Sequence, residues 1–481
     1  MIRKTTILAI FLFLPLPLSA GLVDGVEATL ELYDKLTPVE NSESLFIADQ
    51  PAKYGLPGHW QVYWLDEPVF GTRIFLSETG ERSAPLVLLV HGLGQNGLRD
   101  WISIVPALEE HYRVLLIDLP GFGNSPAPNK KLSPTRYADL LHFVKPYFSS
   151  EPIAVVGHSL GGAVALRYAH RYPDDVNQIA LIDVAGILQR TAFIKHSATD
   201  RMPTDPQIMS GALLGYAIGL QRLGNALIED IMKWPDPTAW LGKSDYAWGA
   251  ALGRYPNINA SLALIEENFS SAIFEQKKPV SILWGAEDLV APPRTGRALL
   301  QNLERGRLEV IPDAGHVPMA THPKEVSAWL LKSLQTVLDR KPLRPAKMPE
   351  PQTVYTCTNQ FGGVVRGTYS HIVIEDCTGL ILDGVTANEI IVRNSVVEVE
   401  NTEILNTRVA LEIDHSTVVM TAGKVHGLIN VSNSRVDFAG VELVLAKPFN
   451  VGEKSRLVIS VSRAGNKRYL HDDQVLIHTQ F

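Results

Sequence analysis

Ser159 stands in Gly157-His158-Ser159-Leu160-Gly161-Gly162, directly after the apolar run Ile153 to Val156 and before a helical pattern from Ala163 to Arg171. A serine hydroxyl is a poor nucleophile at neutral pH. It needs an imidazole to take its proton, and the imidazole needs a carboxylate to fix its tautomer and stabilise its cation. Both types follow later in the chain: Asp288 closes Trp284-Gly285-Ala286-Glu287-Asp288, and His316 closes Asp313-Ala314-Gly315-His316. A serine on a sharp strand-to-helix turn also needs small residues on either side, because the tight backbone would drive larger side chains into the sheet. Gly157 and Gly161 supply them. Serine, acid and histidine in this order are suited to acyl transfer, with His316 as base and Asp288 as its orienting acid.

The elements that must position these residues are legible as alternation. Short apolar runs (Leu86 to Val90, Val114 to Ile117, Ile153 to Val156, Ile179 to Ile182, Val280 to Trp284, Leu308 to Ile311) are separated by amphipathic stretches. Such a pattern predicts parallel strands buried on both faces by crossover helices, and antiparallel strands are expected before them around Gln61 to Trp64 and Arg73 to Leu76. Ser133-Pro134 opens one helix in cap-then-first-turn order, and Gly306 reads as the end of another. Between Asp183 and Lys278 the alternation stops. Helical segments at Ile208 to Leu220, Leu223 to Met232 and Ala260 to Phe274 predict a lid at about 185–277, or else helices that thicken the core. In the lid reading Leu213, Leu214, Ile218, Leu220, Leu223, Leu227 and Ile231 line an apolar surface over the serine.

From about Tyr54 to Arg340 the chain resembles the α/β-hydrolase fold superfamily, on four motifs in order. These are the serine turn, His91-Gly92-Leu93-Gly94 after the run Leu86 to Val90, Asp118-Leu119-Pro120-Gly121-Phe122-Gly123-Asn124-Ser125, and the acid and histidine segments. The resemblance implies that the backbone N–H groups of Leu93 and Leu160 form the oxyanion hole, that His91 orders its loop, and that Asp118 is structural. It also makes Asp183 an alternative acid position, while Glu287 would face away from the site in an extended segment. His142, His170 and His415 lack a paired metal-ligand spacing and read as surface or turn residues.

The whole chain has 481 residues, a formal charge of −7 and two cysteines. At roughly 150 residues per domain this is two or three domains. No basic run suits a nucleic-acid backbone, and two cysteines rule out a thiolate zinc cluster. No cofactor is expected. Arg3 and Lys4, the uncharged stretch Thr5 to Leu18 and the small residues Ser19-Ala20 read as a secretory signal over 1–20, with a membrane tether as the alternative if it is not cleaved.

A Pro-rich linker at 341–352 separates the hydrolase-like domain, 21–340, from a region of different composition, 353–481. There Ile374-Glu375-Asp376-Cys377, Val392-Arg393-Asn394-Ser395, Ile413-Asp414-His415-Ser416 and Val431-Ser432-Asn433-Ser434 repeat an apolar, polar, Asx-or-His, small pattern at spacings of 18, 21 and 18. Periods near 20 predict coils of a parallel β-helix, and the region resembles the right-handed parallel β-helix; a β-sandwich is the alternative. Cys357 lies 20 residues before Cys377, about one coil, so the two are expected either to form a disulfide after export or to remain two core thiols.

These readings converge on an exported serine hydrolase of carboxylic esters, with a small-molecule or lipid ester as partner. Cleavage of a carbon–carbon bond beside a ketone by the same residues is the alternative reaction. A different reading makes the β-helix the functional part, in contact with the cell envelope or polysaccharide.

Overall fold

The computed structural model describes residues 45–48, 50–192, 244–339, 350, 353–452, 454–465 and 468–476. The segment expected to be a signal, the lid helices expected at Ile208 to Leu220 and Leu223 to Met232, and nearly all of the expected linker lie outside the described residues.

The apolar runs are strands. β1 (Leu45–Ile47), β2 (Gln61–Glu67), β3 (Thr72–Thr79), β4 (Leu86–Val90), β5 (Arg113–Asp118), β6 (Ile153–His158), β7 (Val176–Ile182), β8 (Val280–Gly285) and β9 (Gly306–Ile311) form one sheet in the order β1-β2-β3-β5-β4-β6-β7-β8-β9. β1, β2 and β3 pair antiparallel and β3 joins β5 antiparallel, while every later pairing is parallel. Leu86–Val90 is buried at every position because crossover helices cover both faces of a parallel sheet.

The described helices of this domain are α1 (Val105–Glu109), α2 (Pro134–Val144), α3 (Leu160–Arg171), α4 (Asp245–Leu252), α5 (Pro256–Ile265), α6 (Ser270–Phe274), α7 (Arg294–Asn302), α8 (Pro318–Thr321) and α9 (Pro323–Gln335). Ser133 caps α2 as its sequence predicts, its Oγ accepting the Arg136 N–H at 3.2 Å. Gly306 does not end a helix. α7 stops at Asn302, and Gly306 is the first residue of β9, paired with Val280. The expected helix Ala260 to Phe274 is two helices, with Phe269 buried at the bend between them.

The described part of the insertion is fastened to the sheet domain. Asn259 Oδ1 accepts from Leu132 N–H at 2.9 Å and from Trp248 Nε1–H at 2.6 Å, and its amide donates to Lys130 O at 3.0 Å. Ala260, Leu264, Phe269 and Ile273 share a core with Leu160 and Val164. α5 and α6 thus pack on the core of the sheet domain.

The C-terminal region is an all-β domain of parallel strands stacked as a β-helix. Cys357 pairs with Ile374, Ile374 with Val392, Val392 with Ile413, and Ile413 with Val431, so each coil lays its apolar residue on the one before. A second face stacks Leu382, Val399, Met420 and Phe438 in the same way. Parallel pairing excludes the sandwich alternative, whose sheets are antiparallel. The strand Arg468–Leu476 closes the stack antiparallel to Ser455–Ala464.

The repeated small residue has a physical reason. Asp376, Asn394, His415 and Asn433 turn each coil with φ between 45° and 56°. The next residue then accepts a backbone N–H from the coil before. Ser395 Oγ accepts from Cys377 N–H at 2.9 Å, Ser416 Oγ from Ser395 at 3.0 Å, and Ser434 Oγ from Ser416 at 3.0 Å. Cys357 and Cys377 are joined by a disulfide with Cα atoms 6.5 Å apart. The link is diagonal, since the residue in register with Cys357 is Ile374.

The two domains share a packed face. Ala439, Val458 and Val461 of the β-helix belong to the same apolar cluster as Trp284, Ala298 and Leu299. Around it Arg294 pairs with Asp437 and Arg297 with Glu400, each at 2.5 Å, and Ser460 Oγ accepts from Gln189 N–H at 2.9 Å.

Candidate active site

Ser159 sits between β6 and α3 with φ 52°, a left-handed backbone that a side chain adopts only under constraint. The constraint is close packing. A Cβ on Gly157 would lie 2.2 Å from Gly161 O, and one on Gly161 would lie 2.1 Å from Val90 O, so both positions exclude any larger residue. The turn points the Ser159 hydroxyl away from the sheet and leaves the Leu160 amide at the first turn of α3, where N–H groups have no partner within the helix.

His316 follows β9, and its Nε2 is 2.9 Å from Ser159 Oγ. Its Nδ1 is 2.8 Å from Asp288 Oδ2. A carboxylate only accepts, so the proton resides on Nδ1 and Nε2 is free to accept from the serine hydroxyl. Asp288 is buried, and its Oδ1 accepts the N–H groups of Val290 at 2.7 Å and Ala291 at 3.0 Å. Three donors thus face this carboxyl. Glu287, its neighbour, is exposed.

The structure thus brings together Ser159, His316 and Asp288 from three separate strand ends. Asp183, after β7, is fully buried beside Asp288 with φ 46° and accepts from Gly285 N–H at 2.8 Å, but it does not reach His316. Burial and then the Asp288 charge push its carboxyl up to about 9. Leu93 follows Gly92, where an added Cβ would lie 2.9 Å from Ser159 Cβ; this contact lays the loop against the serine. His91 bridges Gly92 O at 2.6 Å and the Leu119 N–H at 3.0 Å, and so orders the loop. Asp118 accepts from Leu98 N–H at 2.6 Å and Asn124 N–H at 2.7 Å, a structural part. His142 meets Asp175, His170 faces Glu275, and His415 turns a coil of the β-helix.

Sequence reasoning passed over His158. It is buried beside the serine, and its Nε2–H donates to His316 O at 2.7 Å, which anchors the backbone of the base. Burial, then the neighbouring His316, lowers its pKa to about 3, so it stays neutral. Its position between the glycine and serine of the motif was the available signal. Among the described residues no group of three or more His, Cys, Asp or Glu has the geometry of a metal site.

A serine on a tight strand-to-helix turn, facing a histidine and an acid at later strand ends of a mostly parallel sheet, defines the α/β-hydrolase class. Residues 85–323 match the family model for the alpha/beta hydrolase fold, and this domain belongs to that family. Relatives include a pimeloyl-[acyl-carrier protein] methyl ester esterase of Chromobacterium violaceum, 29% identical over 55% of this chain and 98% of its own length. Lipase 1 of Psychrobacter immobilis is 28% identical, over 56% of this chain and 82% of its own. A 2-hydroxy-6-oxo-6-(2'-aminophenyl)hexa-2,4-dienoic acid hydrolase of Metapseudomonas resinovorans is 26% identical, over 53% and 85%. The chain is similar to all three in its hydrolase domain, which supports a hydrolase.

Proposed function

We propose that this protein is an exported serine hydrolase that cleaves carboxylic esters through an acyl-enzyme. The observation that carries the reading is the hydrogen-bonded chain Ser159, His316, Asp288, at 2.9 Å and 2.8 Å. Ser159 Oγ attacks the ester carbonyl while His316 Nε2 takes its proton, and Asp288 stabilises the imidazolium. The amides of Leu93 and Leu160 hold the oxyanion of the tetrahedral intermediate. His316 then protonates the leaving alcohol. In the second half it removes a proton from water, which attacks the acyl-serine and releases the acid. An ester is the default substrate because an alkoxide leaves more readily than an amide nitrogen.

Export over a 1–20 signal is part of the same proposal. The Cys357–Cys377 disulfide supports it, since such bonds persist in oxidising compartments.

The test is hydrolysis of a graded series of p-nitrophenyl esters by the full chain beside Ser159→Ala, with N-terminal sequencing of the exported protein. Turnover lost by a factor of roughly 10³ or more in the variant is the expected result. No turnover of any ester by folded protein would overturn the ester reading and favour carbon–carbon cleavage beside a ketone.

A further inference from the structure

A cavity of about 610 Å³ opens between the loop after β4 (Gly94, Gln95), the turn after β5 (Phe122), the segment leading into α5 (Arg254, Tyr255) and the first turn of α5 (Ile258). Its volume is in the range of small-ligand sites, roughly 300–1,000 Å³. Its near wall begins at Gly94, two Cα steps of about 3.8 Å from Gly92, the residue packed on Ser159. A Cβ on Gly94 would meet nothing within 4 Å, so this wall faces open space. Phe122, Tyr255 and Ile258 give the cavity an apolar lining.

One residue of the lining is charged. Arg254 is exposed, no carboxylate lines the cavity with it, and it makes no ion pair among the described residues. The arginines of nearby helices differ: Arg136 is paired with Asp245 and Arg167 with Glu267. In a chain of formal charge −7, a guanidinium with no ion pair among the described residues, at the rim of an apolar cavity next to the loop that packs on the nucleophile, is a local positive field. Its planar fork of donors matches a carboxylate or a phosphate.

We propose that this cavity receives an ester bearing an anionic group, with Arg254 as the residue that recognises it. The proposal rests on the ester-hydrolase reading and names its substrate class. The apolar lining takes the carbon chain, and the anion lies at the far end from the scissile carbonyl.

The experiment compares three esters on the full chain at low salt. These are neutral 4-nitrophenyl pentanoate, 4-nitrophenyl hemiglutarate with a carboxylate on the acid side, and the butyrate ester of 4-hydroxyphenyl phosphate with a phosphate on the alcohol side. The expected result is that the ratio of kcat/KM for one anionic ester to that for the neutral one falls roughly tenfold in Arg254→Glu. Arg254→Lys should restore part of the ratio. The arm that responds identifies which side carries the charge. Ratios unchanged for both anionic esters would overturn the proposal. If wild type hydrolyses no ester, the ester reading fails, and calorimetric binding of glutarate and phenyl phosphate to Ser159→Ala decides the cavity by itself. Binding abolished by Arg254→Glu supports the anion site, and no binding of either compound overturns it.

Discussion

Asp183 and Asp288 are adjacent buried carboxyls with different donors. Asp288 accepts two backbone N–H groups and the His316 ring, whereas Asp183 accepts the single N–H of Gly285. Burial, then the neighbouring Asp288, raises the pKa of Asp183, the less well served of the two.

With its pKa raised to about 9, Asp183 keeps a proton that the unfolded chain releases near pH 4. The folded state therefore binds more protons between these values, and stability falls as pH rises through that window. Asp183→Asn is expected to flatten the dependence of Tm on pH between about 5 and 9 and to retain most of the activity. Asp288→Asn should lower kcat by roughly 10³ to 10⁴, because an amide cannot stabilise the imidazolium. Equal losses of activity in the two variants would refute this division of roles.

His158 gives the opposite dependence. Its pKa of about 3 lies below the ordinary histidine value near 6.5, so the unfolded chain takes up a proton first as the solution is acidified. Stability should fall as pH drops from about 6.5 towards 3. His158→Gln can still donate to His316 O and does not titrate, so its Tm should decline less over that range. His158→Ala leaves a partly buried carbonyl without its donor and should cost about 1–3 kcal/mol in denaturant unfolding.

Gly440 touches Ala298 across the domain face, where an added Cβ would lie 2.5 Å from the Ala298 Cα. Ala298 is on α7, the helix that follows the Asp288 turn. Gly440→Leu is expected to wedge the domains apart, raise proteolysis of the 341–352 linker, and reduce kcat by displacing that turn. Full kcat in a variant whose linker is readily cut would show that the β-helix does not support the acid.

Ser416 tests the ladder within the β-helix. Its Oγ accepts from Ser395 N–H and donates to Asp414 O at 2.7 Å, so Ser416→Ala strands a buried donor. A loss of about 1–3 kcal/mol in chemical unfolding of this domain is expected, with ester turnover unaltered.

Much of this protein is local. The sequence by itself determined the strands β4, β6 and β8, because burial on both faces demands unbroken apolar runs. It determined the serine turn, because only glycine fits against Gly161 O and Val90 O. It determined the coil period, because each turn needs a left-handed residue followed by a small side chain. The tertiary structure decided whatever depends on which surfaces meet. Gly306 reads like a helix stop until β8 pairs with it. Asp183 and Asp288 are 105 positions apart in sequence, and only the parallel pairing of β7 with β8 makes them neighbours and so raises the pKa of Asp183. The bond from His158 to His316 O, the β-helix seated on α7, and Arg254 at the rim of the cavity arise in the same way, from contacts between distant segments that no local pattern encodes.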